Sequence, residues 1–430
     1  MWFYVQRVLI KYQQADAAAH GRPRGNLSDL YPRWLGAREL ILHHRDPYSV
    51  EMTREIQAGY YGRPLDPALP GDPKDQQRFA YPVYVVFLLA PVIHLPFPLV
   101  QEGFRWILGI LVASTVLLWL RAIRWHPPLS VGGVLVILAL GSFPVLQGLK
   151  LQQLSLVVSG LIAASLVMLA GGQLYVAGAL LAIATIKPQL VLPLVAWLFL
   201  WAFSRWHMRQ RLVWSFAAMM TFLLMVGQWI LPGWIGKFWE ALTAYHQYTG
   251  GFGSVLAVLT SANWSVLLTG VILLGSGVMC WQVRREPADA PLFALASALV
   301  LAATLVVVPM TALYNQVLLF PAVFLLVRNR SWLFSGHIVI RLAAFIGSVS
   351  VFWPWLIAVI LAFASLVLPP ATVQKAWALP LWGCLAMPLV ITALLAWVMK
   401  REFRLQQDSL QCPASLVGHM DQATLSQKQI

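Results

Sequence analysis

Asp29 sits in the run Gly25-Asn-Leu-Ser-Asp29-Leu-Tyr-Pro-Arg33-Trp34, with Arg33 one helical turn beyond it. Two chemistries fit this spacing. Ser28 or Asp29 can cap a helix and the carboxylate can pair with Arg33. Alternatively Asp29 is a general base, which needs a carboxylate held at fixed geometry near a substrate hydroxyl. Lys187 is the second candidate. It is a lone cation between two short apolar runs, and a cation at that depth must either snorkel to the surface or meet an anion. A lipid phosphate would suit it. Tyr314, Asn315 and Gln316 follow one another after Val308-Pro-Met310. They can satisfy backbone groups at a helix start or orient sugar hydroxyls. His246 stands among Trp234, Trp239, Tyr245 and Tyr248. That pattern reads as an amphipathic interfacial helix, with sugar stacking as a second use.

These residues are carried on a chain of 430 residues, 59% hydrophobic and 11% charged, with a mean hydropathy of +0.71. Soluble domains are about 25% charged, so most of the chain must be solvated by lipid. Apolar segments fall at about 81–98, 104–120, 129–147, 153–170, 173–186, 188–203, 212–231, 263–283, 291–308, 311–327, 342–366 and 377–399. Backbone polar groups have no partner in hydrocarbon, so these segments are helical. The pattern predicts an all-α polytopic membrane protein, with 173–203 as two half-length helices hinged at Lys187-Pro188. Residues 1–404 read as one integral domain, and 405–430 as a polar, disordered cytoplasmic tail.

The polar residues are concentrated. Nine of the 16 acidic residues lie in 14–79, which reads as a polar loop carrying interfacial helices. A second polar loop spans 232–253. Within 14–79, Asp46-Pro-Tyr48 reads as a turn.

Charge sets orientation. Dense basic clusters occur at Arg121/Arg124, Arg205/Arg209/Arg211, Arg284/Arg285, Arg328/Arg330/Arg341 and Lys400/Arg401/Arg404. They occupy every second connection, so all of them can face the cytoplasm. The connections 147–152, 187–189, 232–253, 309–315 and 367–376 are poor in charge and should face outside. The polar loop 14–79 poses a parity problem. Two spans between 81 and 120 would place it beside Arg121, whereas one would place it opposite. Pro82, Pro91, Pro96 and Pro98 mark 81–98 as a candidate broken or re-entrant helix.

Several classes are excluded. The formal net charge is +14, but the basic residues sit in clusters between spans, as topology requires, so no nucleic-acid partner is expected. Cys280, Cys384 and Cys412 form no metal or disulfide spacing. Phosphate-binding glycine loops, His-Glu-x-x-His and nucleophile elbows are lacking, so neither a cofactor nor a metal is expected. Almost no ionisable group falls at the centre of an apolar segment, as an ion-coupled transporter would require.

The order of Ser28-Asp29-Leu-Tyr31 with Trp34, Asp46-Pro-Tyr48, Tyr81-Pro82 and Ala90-Pro91 resembles glycosyltransferase family 87. So do Leu149-Lys-Leu-Gln-Gln153, Ala177-Gly178 leading to Lys187-Pro-Gln189, and Pro309 leading to Tyr314-Asn-Gln316. The resemblance covers about residues 25 to 330. It implies a GT-C-like helical bundle with a long first extracytoplasmic loop. It also implies a sugar donor on a polyprenyl phosphate, often mannose, and a lipid or glycan acceptor. Transfer would occur on the outer face of the cell membrane, with Asp29 as base. Two departures stand out. The complete first helix is missing or shortened, and residues 152–153 read Gln-Gln where Gly-Gln is more usual. The expected reaction is hexosyl transfer with inversion, Asp29 being catalytic and Lys187 and Arg33 facing the phosphate. Tyr314, Asn315, Gln316 and His246 would bind the sugar. The rival class is a lipid-linked sugar transporter or flippase without chemistry; a scaffold subunit is a third.

Overall fold

In a computed structural model the described residues are 1–23, 28–66, 68–249, 253–308 and 312–411. Among them the protein is all-α, with no strand. Five helices are long and apolar enough to cross a membrane: Phe97–Ala122, Trp206–Ile230, Asn263–Val283, Ile338–Val367 and Pro370–Asp408. Leu129–Gly141 and Phe143–Leu151 form a pair bent by 54°, and count as a sixth if taken as one span. Shorter apolar helices, among them Ser155–Ala170, Leu174–Ala184, Pro188–Phe203 and Pro291–Val307, pack among these. Many helices begin at a proline in their first turn, including Pro98, Pro144, Pro188, Pro291 and Pro321. Proline fits there because that N–H has no helical acceptor.

Of the two readings of 81–98, the broken one holds. Residues Val83–Val92 make only short 3₁₀ and α turns, and a long helix starts at Phe97. Prolines 82, 91, 96 and 98 remove the donors that a continuous helix would need. This short segment is held by the polar loop: Trp34 Nε1 donates to the Val92 carbonyl at 3.3 Å. Residues 81–122 therefore cross the bundle once, and the parity problem disappears.

The arginine-rich connections gather at one end of the bundle. Arg124 pairs with Asp289 at 3.1 Å. The Arg209 guanidinium donates to the carbonyls of Arg284, Arg285 and Glu286. Arg328 donates to the Ile123 carbonyl at 3.1 Å, and Arg401 lies over Trp332. The charge-poor connections meet at the opposite end, together with the polar loop. Ser28 Oγ donates to the Leu151 carbonyl at 3.2 Å, Lys237 pairs with Asp46 at 2.7 Å, and Tyr12 stacks on Trp377.

The polar loop carries two helices, Leu30–His43 and Val50–Tyr61. Asp46 accepts from the Tyr48 N–H at 2.9 Å, closing the expected turn. Ser49 then caps the second helix, accepting from the Met52 N–H at 3.1 Å. The final helix, Leu379–Gln411, runs past residue 405, where the polar tail was expected to begin. Residues 412–430, and Cys412 with them, lie outside the described residues.

Candidate active site

The Leu30–His43 helix starts immediately after Asp29, yet the Asp29 side chain does not cap it. Ser28 Oγ takes the Leu30 N–H instead, at 3.1 Å. Asp29 and Arg33 also form no ion pair among the described residues. The capping-and-pairing reading of Asp29 is therefore corrected. Its carboxylate is free to turn toward the bundle.

There it meets two neutral donors. The Tyr60 hydroxyl donates to Asp29 Oδ1 at 3.3 Å, and the Gln153 amide donates to Oδ2. Burial, with the Asp29 charge adding to it, raises the Tyr60 phenol well above its ordinary value, so it stays a neutral donor. Gln153 then turns its other end to the lysine: Lys187 Nζ donates to Gln153 Oε1 at 2.9 Å. Lys187 also donates to Ser155 Oγ at 2.7 Å, and Ser155 donates to Asn315 Oδ1 at 2.6 Å. A continuous polar chain thus runs Asp29, Gln153, Lys187, Ser155, Asn315, from the polar loop across three further connections.

Local structure places each member. Lys187 precedes Pro188 at the break between the Leu174–Ala184 and Pro188–Phe203 helices. The first of these lies close against the Trp206–Ile230 helix because position 178 is glycine. A Cβ there would collide with the Leu212 carbonyl and stand 2.8 Å from Phe216 N. Tyr84 fixes the end of the same helix through its hydroxyl, 2.9 Å from Thr185 Oγ1. Gln153 is held by the turn at Gln152, whose φ is 47°. Glycine adopts that region most readily, which accounts for the Gly-Gln expected there. Here the Gln152 amide bonds the carbonyls of Leu149 and Lys150 instead.

A second cation lies nearby. The Arg33 guanidinium sits 4.2 Å from the centroid of the Tyr81 ring, and its buried Nε has no hydrogen-bond partner. Lys187 Nζ lies 5.8 Å from the same ring and 4.9 Å from that of Tyr314. Two cations thus flank aromatic faces without a direct carboxylate partner among the described residues.

Residues 313–319 are 3₁₀-helical. Consecutive side chains then point about 120° apart, so Tyr314, Asn315 and Gln316 part company. Tyr314 covers Lys187 and Asn315 takes Ser155. Gln316 donates to the Cys384 carbonyl at 2.6 Å and faces an apolar cavity of about 240 Å³. Gln316 therefore does not join the Asp29 cluster and satisfies a backbone group, one of the two uses open to it. His246 lies on the Trp234–Thr249 helix, but its side chain lies outside the described residues. Gln153, Ser155, Tyr60 and Tyr81 were not among the expected site residues. The signal for Gln153 and Ser155 was their polarity between two apolar runs.

Asp29 also borders a polar cavity of about 390 Å³, which Asp75 lines. Burial, foremost, pushes the Asp75 carboxyl up to about 6, and the Asp29 charge adds to this, while the Gln77 N–H and Arg33 oppose it. No group of three or more His, Cys, Asp or Glu side chains that could hold a metal ion occurs among the described residues.

No curated protein and no solved structure matches the chain. A family model does, over residues 79–309, which carries Tyr81, Gln153, Ser155 and Lys187 but not Asp29, Arg33 or Tyr314. That match covers more than half of the chain, and with an apolar helical body whose polar side chains converge at one end, the chain belongs to glycosyltransferase family 87 and is a multi-pass membrane glycosyltransferase.

Proposed function

We propose that the enzyme transfers a mannose-like hexose, with inversion, from a polyprenyl phosphate to a hydroxyl of a lipid- or glycan-linked acceptor. The observation that carries this reading is the Gln153 bridge. It holds the Asp29 carboxylate and the Lys187 ammonium at fixed spacing without letting them neutralise each other. Asp29 takes the acceptor proton as the acceptor oxygen bonds to the anomeric carbon. The bond from that carbon to phosphate breaks, and its electron pair leaves with the phosphate oxygen. Lys187 and Arg33, with no direct carboxylate partner among the described residues, supply positive charge where the phosphate anion develops. Asn315 and Tyr314 support the lysine from the other side.

The site lies at the end opposite the arginine-rich connections. Basic connections mark the cytoplasmic side, so this reading puts transfer on the extracytoplasmic face of the cell membrane.

Membranes containing equal amounts of wild-type or Asp29→Asn protein, given a polyprenyl-phosphate hexose, test the assignment. Loss of a general base should slow transfer about 10²–10⁴-fold. Near-normal transfer by the variant excludes Asp29 as base. Movement of the lipid-linked sugar across liposomes that survives the substitution, without transfer by either protein, favours a flippase.

A further inference from the structure

Lys187 has three N–H groups to place. Gln153 Oε1 takes one at 2.9 Å and Ser155 Oγ takes a second at 2.7 Å. Within reach of the third is the Tyr81 hydroxyl, whose ring lies 5.8 Å from the ammonium. Arg33 approaches the same tyrosine over its face, 4.2 Å from the ring centroid, and also reaches the hydroxyl. One phenol oxygen therefore stands between two cations that repel each other.

A phenol oxygen carries two lone pairs and one proton. Here the lone pairs face the lysine and the arginine, so the O–H points away from both. Among the described residues no group accepts that proton. The hydrogen bond that does hold Tyr81 is at its backbone carbonyl, which accepts from the Tyr48 hydroxyl at 2.5 Å. Tyr48 is fixed in turn by the Asp46 turn and by the Phe79 ring, in edge contact at 5.1 Å. Tyr81 is 8% exposed, yet its hydroxyl is not sealed in as Arg33 Nε is, so a ligand can reach it. Buried polar groups rarely lack a partner. The partner this one lacks is an acceptor beside two positive charges, which is an anion.

We propose that the Tyr81 hydroxyl is a third hydrogen-bond donor to the phosphate of the lipid-linked sugar, aimed by Lys187 and Arg33 and held in place by Tyr48. This rests on the reading of those two cations as the phosphate site. A neutral donor suits that position: it adds a hydrogen bond to the anion without adding to the repulsion between the cations. The phenol keeps its proton throughout. As the bond from the anomeric carbon to the phosphate oxygen breaks, the oxygen gains charge, and a donor already in place strengthens its hold without having to reorganise.

The full chain, purified in detergent, is tested by thermal stabilisation with farnesyl phosphate and farnesol as probes. Wild type should be stabilised more by farnesyl phosphate than by farnesol. Tyr81→Phe keeps the ring on which both cations pack and removes only the oxygen. It should bind farnesyl phosphate about 10–100-fold more weakly, the range for one hydrogen bond to a charged group, with the farnesol response unchanged. In transfer assays the KM for the sugar donor should rise by a similar factor and the acceptor KM by less than about 2-fold, a split that a loosened fold does not give. If Tyr81 acted only by steadying the lysine, its effect would vanish with the lysine. In a Lys187→Met background, Tyr81→Phe should still weaken farnesyl phosphate binding about 3-fold or more. Should Tyr81→Phe fail to fold, Tyr48→Phe, which releases the Tyr81 carbonyl, should show the same phosphate-specific loss at smaller size. Unchanged phosphate binding in a folded variant, equal loss for both probes, or disappearance of the effect in the Lys187→Met background overturns the proposal. A wild type that does not distinguish the two probes overturns it together with the phosphate reading of the two cations. Phosphate-specific binding that needs Tyr81, without detectable transfer, supports the site and sinks the catalytic reading instead.

Discussion

Replacing Asp75 by Asn should stabilise the fold at pH 8 and have no stabilising effect at pH 4. The Asp75 carboxyl is raised from 3.8 to about 6, chiefly by burial. A raised folded value means the native state binds this proton more tightly than the unfolded chain. The resulting stability is present below about 3.8 and is lost as pH rises through about 6. At 1.36 kcal/mol per unit, two units amount to about 3 kcal/mol carried as a cost by the ionised carboxylate. Asn removes that charge but keeps only one oxygen. Asp75 accepts from both the Gln77 N–H and the Gln77 side-chain amide, each at 3.0 Å. Losing one of these costs about 1 kcal/mol, so the net gain is about 2 kcal/mol. The groups that face Asp75 are Asp16, Arg22, Asp29, Arg33, Tyr60, Tyr61 and Tyr245. They are common to both proteins, so the difference between variant and wild type isolates Asp75. Thermal unfolding of the detergent-solubilised proteins between pH 4 and pH 8 reads this difference. A Tm gap that opens between pH 4 and pH 7 agrees with the reasoning. A gap that is flat with pH, or a variant less stable at pH 8, refutes it.

Other substitutions probe the remaining parts of the site. Gln153→Glu gives Lys187 a direct carboxylate partner, and should raise the donor KM by about 10-fold or more; an unchanged donor KM argues against the phosphate role of Lys187. Lys187→Met should impair donor use more than acceptor use, and in combination with Gln153→Glu should show clear non-additivity in a double-mutant cycle. Gly178→Val must push the Leu174–Ala184 helix off its neighbour, and should lower expression or Tm by the equivalent of about 1–3 kcal/mol; a normal Tm would show that the contact is soft. Gln152→Gly should be tolerated, since glycine suits the φ of 47°, whereas Gln152→Val should cost about 1–2 kcal/mol, read by the same unfolding assay.

Much was legible in the sequence because hydropathy reports a local property. Whether a segment enters hydrocarbon depends on its own side chains, so most of the helical segments, the break at Lys187-Pro188 and the Asp46 turn were visible in order. The basic clusters likewise fixed which connections share an end. The segment 81–98 left two readings open, because its composition is apolar while its four prolines deny it a continuous hydrogen-bond ladder. Apolarity alone does not separate a span from a segment packed under a polar loop.

The site itself was decided by tertiary structure. Lys187 was identifiable as a lone cation and Asp29 as a candidate carboxylate one turn from Arg33, but nothing near either in the chain names their common partner. Gln153 lies 124 residues from Asp29 and 34 from Lys187. It links them because the close packing at Gly178 and the turn at Gln152 bring three connections together. The same holds for the divergence of Tyr314, Asn315 and Gln316, which a 3₁₀ turn imposes on neighbours that look alike in sequence. The sequence by itself determined which segments are apolar and helical and which charges were candidates for chemistry. Only the packed bundle decided which of those charges face one another, because that depends on closing loops between segments far apart in the chain.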